Sequence, residues 1–77
     1  MNENYRKEML SSTLEARINE VTEYQVNIDN FRLAIDRIGD DPELQDFKKN
    51  LQELLASSTL EQRKAQIMLG VIQSQME

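Results

Sequence analysis

The sequence predicts an all-α fold: an antiparallel helical hairpin, completed as a dimeric helical bundle. Three observations lead there. From Leu14 to Ile38 apolar residues recur in steps of three and four, the repeat of a helix with one buried seam. A turn signal, Gly39-Asp40-Asp41-Pro42, follows directly. A second stretch with helical spacing then runs on to about residue 76. Two Gly and one Pro in 77 residues leave few places where a helix can be broken.

The first helix covers about 13–38. In heptads with Leu14 at a, that position holds Leu14, Val21, Ile28 and Ile35, and d holds Leu10, Arg17, Tyr24, Phe31 and Ile38. Two starts are open. Ser12 and Glu15 have the spacing of a capping box, which would begin the helix near 13. The preceding residues are good helix formers, which would carry it back to about 4. The turn occupies 39–42. Gly39 can adopt the left-handed conformation that ends a helix. Asp40 or Asp41 can cap the next one, with Pro42 in its first turn.

The second helix covers about 43–76. With Leu44 at a, that position holds Leu44, Leu51, Ser58, Ala65 and Ile72, and d holds Phe47, Leu54, Glu61, Met68 and Gln75. The short connection makes the helices antiparallel neighbours. Placing Ile38 opposite Leu44 sets Ile35 against Phe47, Phe31 against Leu51, Ile28 against Leu54, Leu14 against Met68 and Leu10 against Ile72. Both ends of the hairpin are then apolar. The middle is not: Tyr24 meets Ser58, Val21 meets Glu61, and Arg17 meets Ala65. Either the second helix runs through this region, with Arg17 pairing Glu61, or it kinks or breaks at Ser57-Ser58. The pentapeptide Ser-Ser-Thr-Leu-Glu at 11–15 recurs at 57–61, a local capping signal used twice. The matched ends favour the unbroken helix.

A lone two-helix hairpin buries too little to be stable. The sequence offers a second face. Ile18, Leu55, Leu69 and Met76 fall at e positions, which lie along one edge of an antiparallel pair. This edge is the expected partner or self-association surface. Val26, Leu33, Leu60, Ile67 and Val71 are further apolar residues outside the seam. Arg17, Tyr24, Ser58 and Glu61 form the candidate polar centre, read first as a layer that fixes register and second as a small pocket.

Composition limits the chemistry. The chain has no Cys and no His, so thiol catalysis, the usual general base and the commonest zinc ligands are missing. No catalytic residue, cofactor site or metal site is expected. The acidic cluster at the hairpin tip (Asp36, Asp40, Asp41, Glu43, Asp46) lacks calcium-loop spacing and is read as capping and solubility. A net charge of −5 argues against direct nucleic-acid binding and against anionic membrane surfaces. No apolar run is long enough to span a bilayer, and the first residues are too polar for a signal peptide. The expected location is cytoplasmic.

The functional expectation is a small non-enzymatic protein–protein interaction module, a homo-oligomer with a protein partner of unstated identity. Such a module binds and regulates, inhibits or chaperones a larger protein, in the format of a phage or mobile-element accessory protein. Two alternatives stand beside it. Glu8, Glu15, Asp29 and Asp36 fall seven apart, with Thr22 in the gap, and an acidic ladder of this kind would suit a nucleic-acid-mimicking decoy. The chain could also be a structural subunit of a homo-oligomer.

Overall fold

The computed structural model describes residues 3–77. Helix α1 runs Glu3–Ile38 and helix α2 runs Gln45–Met76, joined by a turn that contains one 3-10 turn at Pro42–Leu44. The described residues contain no strand. The fold is the all-α helical hairpin that the periodicity predicts. It is a rod of 61 × 16 × 14 Å, two helices wide along its whole length.

α1 begins at the early start and does not restart at Ser12, and α2 runs unbroken through Ser57-Ser58. The repeated pentapeptide is therefore not a cap in either place. In both copies its threonine bonds back into the helix instead. Thr13 Oγ1 donates to the Met9 carbonyl and Thr59 Oγ1 to the Leu55 carbonyl, each at 2.8 Å. This i−4 bond lets a polar β-branched residue sit inside a helix with its hydroxyl satisfied.

The turn follows the sequence signal closely. Gly39 has φ +53°, and its N–H still reaches the Ile35 carbonyl at 3.2 Å. Asp41 Oδ1 accepts from the Glu43 N–H at 3.0 Å, a cap for the 3-10 turn with Pro42 at its start. Side chains from the first turn of α2 then clamp the connection. Gln45 Nε2 donates to the Asp41 and Gly39 carbonyls at 2.7 and 3.3 Å, and Lys48 Nζ donates to the Gly39 carbonyl at 2.9 Å. The Gly39 carbonyl just past α1, and the Asp41 carbonyl, which also accepts from the Leu44 N–H at 3.2 Å, thus tie the turn to the start of α2.

α1 presents the face read from its heptads. Leu10, Leu14, Arg17, Val21, Tyr24, Ile28, Phe31, Ile35 and Ile38 are all buried or half-buried. α2 does not. Its a positions Leu51, Ala65 and Ile72 are buried and Ser58 is half-buried. Their companions are the e positions, with Lys48, Leu55 and Leu69 half-buried and Gln62 buried. The expected d partners Phe47, Leu54 and Met68 stay exposed, at 52%, 50% and 47% of their surface. At about 100° per residue, the buried face is rotated by about 50° from the predicted one. The middle layer gives the physical reason. An a/d face would push Glu61 into the seam and strip a carboxylate of water. An a/e face buries Gln62, a neutral amide that can be satisfied by hydrogen bonds.

Candidate functional site

A polar layer crosses the hairpin at mid-length, and its hydrogen bonds are made by none of the expected Arg17, Tyr24, Ser58 and Glu61. Gln62 is 8% exposed, the one buried polar side chain among the described residues. Its Nε2 donates to the Val21 carbonyl at 3.2 Å and to Gln25 Oε1 at 2.9 Å. Gln25 Nε2 in turn donates to Asp29 Oδ1 at 3.0 Å. A relay of three side chains therefore crosses the hairpin at mid-length and fixes α2 against α1. The expected Arg17–Glu61 pair does not form. Arg17 Nη1 lies 3.3 Å from Glu20 on its own helix, and Glu61 lies 3.0 Å from Lys64 on its own helix. The rotation of α2 causes this, since it turns Glu61 toward the flank. Arg17 Nε is buried with no hydrogen-bond partner among the described residues. Tyr24 and Ser58 are half-buried at the same level of the hairpin.

The four residues expected to form one association edge are divided. Leu55 and Leu69 are half-buried in the stripe that faces α1, because the rotated face takes e positions into the hairpin. Ile18 and Met76 remain exposed, at 45% and 44%. Free apolar surface lies along the d flank of α2, and α1 also leaves Tyr5, Met9, Val26 and Leu33 exposed. Phe47, Leu54, Met68 and Val71 are each roughly half exposed and share one stripe of the helix, with steps of seven, fourteen and three. Leu60 and Ile67 border it and are also exposed. The heptads place Phe47, Leu54 and Met68 in the seam. Only the face of α2 that meets α1 separates a seam residue from a free one.

The other features offer less. The open ends of the helices leave a cleft of about 630 Å3 bordered by Arg6, Leu10, Gln75 and Met76, bridged by Arg6 Nη2 donating to Gln75 Oε1 at 3.2 Å. The acidic ladder residues Glu8, Glu15, Asp29 and Asp36 are all exposed along α1. Among the described residues no three carboxylates converge as a metal site would require, and no helix is long and apolar enough to cross a membrane. In comparison with known proteins, no family model matches this chain, and no curated protein or solved structure is significantly similar to it.

Proposed function

We propose that this hairpin is a small non-enzymatic interaction module whose working surface is the free flank of α2. The observation that carries the reading is the exposed stripe Phe47, Leu54, Met68 and Val71 on a continuous helix. Single exposed apolar residues are ordinary, whereas several on one flank of a two-helix rod, in an apolar pair at each end with Ser57, Glu61 and Lys64 between them, form a surface suited to being covered. An apolar helix face is recognised by packing against another helix or a groove. Binding in this mode regulates, inhibits or chaperones the protein that is bound. The setting that suits so small a chain is cytoplasmic, as an accessory protein of a phage or other mobile element.

The acidic-decoy alternative is less well supported. Ladder rungs seven residues apart on a helix are about 10 Å apart, while duplex DNA carries a charge for about every 1.7 Å of axis. Asp29 is moreover engaged by Gln25.

The test is affinity capture with three forms of the chain: unmodified, Leu54→Asp with Met68→Asp, and the ladder neutralised to Gln and Asn. Helix content is checked by circular dichroism. Proteins held by the unmodified and ladder-neutralised chains and lost from the stripe variant support the reading. A partner lost only on ladder neutralisation would establish the decoy instead.

A further inference from the structure

We infer that the free flank of α2 is covered by the same flank of a second copy, in an antiparallel two-fold pairing centred between Gln62 and Arg63. The inference rests on the interaction-module reading and names the partner of its surface.

The first argument is area. A folded monomer of 9.0 kDa is expected to expose about 4,900 Å2, whereas this chain exposes 5949 Å2. The excess of roughly 1,000 Å2 is close to the ~800 Å2 that each partner contributes to a standard stable interface. Part of this excess comes from the shape of a 61 × 16 × 14 Å rod, and what is left is no larger than one interface.

The second argument is self-complementarity. The flank is a seam in its own right: Phe47, Asn50, Leu54, Ser57, Glu61, Lys64, Met68, Val71 and Gln75 follow steps of three and four. Antiparallel helices join such seams in layers that cross one kind of seam position with the other. The two-fold pairing sets Leu54 against Val71 of the second copy, Met68 against the small Ser57, Asn50 against Gln75, and Glu61 against Lys64. Four layers are paired in this way, while Phe47 lies beyond the overlap and has no facing layer. Apolar meets apolar, a long side chain meets a short one, amide meets amide, and each carboxylate meets an ammonium. The Glu61 and Lys64 side chains are already held 3.0 Å apart within each chain, so two copies would bring together a four-charge cluster of alternating sign. Sliding the pairing by one heptad destroys the match. One direction sets Phe47 against Val71 but places Leu54 against Lys64 and Met68 against Asn50. The other sets Met68 against Lys64 and Val71 against Glu61. A partner chosen at random would not share this register, whereas the chain itself does.

The experiment uses full-length chains and charge reversal. In E61K both central positions are cationic, and in K64E both are anionic. Each variant alone sets like charges across the two-fold axis, and an equimolar mixture restores opposite charges. Sedimentation equilibrium is expected to show a dimer for the unmodified chain. Each single variant should associate at least about tenfold more weakly, and the mixture should recover dimer as a heterodimer. Circular dichroism of each variant confirms that the helices persist. Three results would overturn the inference: an unmodified chain that stays monomeric at hundreds of micromolar, single variants that dimerise as well as the unmodified chain, or a mixture that associates no better than its components. A monomeric chain that still loses its captured partner on Leu54→Asp with Met68→Asp would remove the dimer and leave the interaction module standing.

Discussion

Truncating Gln62 tests which face of α2 meets α1. Its amide makes two hydrogen bonds across the hairpin, to Val21 and Gln25, each contributing about 1 kcal/mol net. Gln62→Ala also removes a buried methylene, about 0.8 kcal/mol, and regains a few tenths from the better helix propensity of alanine. The expected loss is about 2–3 kcal/mol, equivalent to a fall of at least about 8 °C in Tm for a chain of this size. Glu61→Ala, one position away, removes only an exposed ion pair with Lys64. That change should stay within about 0.5 kcal/mol. Urea unfolding followed by circular dichroism supplies both numbers. It is run over a range of chain concentrations, so that the stability of the hairpin separates from association. A cycle with Gln25→Ala should show a coupling of about 1 kcal/mol to Gln62. If Glu61→Ala proves more destabilising than Gln62→Ala at the lowest concentration, the a/d face is the real one and the rotation is refuted.

The turn carries two further predictions. Gly39→Ala should destabilise the hairpin by about 1 kcal/mol in the same unfolding assay, because φ +53° costs an L-residue about 1–2 kcal/mol, partly offset in the unfolded chain. The added methyl group would meet nothing nearer than the Asp36 carbonyl oxygen at 3.9 Å, so a much larger loss would point to a different turn geometry. Lys48→Met removes the ammonium from the Gly39 carbonyl and should cost no more than about 1 kcal/mol, since Gln45 still donates to the same oxygen.

Much of this fold is legible in the sequence, and the part that is not has a definite cause. Every expected seam residue of α1 is inside or half inside, because its a and d stripe is far denser in apolar residues than the sparse second set of Tyr5, Val26 and Leu33. Gly39, Asp41 and Pro42 mark the turn because each has a backbone preference that few other residues share. α2 is different. It carries two overlapping apolar stripes, one through Phe47, Leu54 and Met68 and one through Leu55, Leu69 and Met76. Periodicity establishes the helix and leaves open which stripe meets α1. The choice falls to one layer, where the cost of burying Glu61 exceeds that of burying Gln62. An amide is a weak sequence signal, so Gln62 is not visible as a site until its partners Val21 and Gln25 are seen across the hairpin. The capping patterns at Ser12 and Ser58 mislead for a related reason. A Ser-x-x-Glu motif caps a helix only where the chain actually starts one, and here the neighbouring threonines bond back to carbonyls four residues earlier.

The placement of the free flank also explains why the hairpin is so thin in core. Among the described residues the buried apolar side chains are Ile28, Ile38, Leu51, Ala65 and Ile72, a small set for two helices of this length. More apolar side chains lie on the outside of α2 than a self-sufficient hairpin would leave there. On the proposed reading, a partner bound at Leu54 and Met68 would raise the stability of the hairpin by mass action.

The central claim is that α2 shows one face to α1 and an adjacent flank, about 100° round the helix, to a second copy. Disulfide trapping reads it most directly, because the natural chain has no cysteine and each introduced thiol is the only one in its chain. Chains carrying Ser57→Cys and Met68→Cys, mixed in equal amounts and oxidised, should form the mixed disulfide in clear excess over either homodisulfide. A statistical mixture of the three products, or chains that remain uncrosslinked, would contradict the pairing and the register on which it rests.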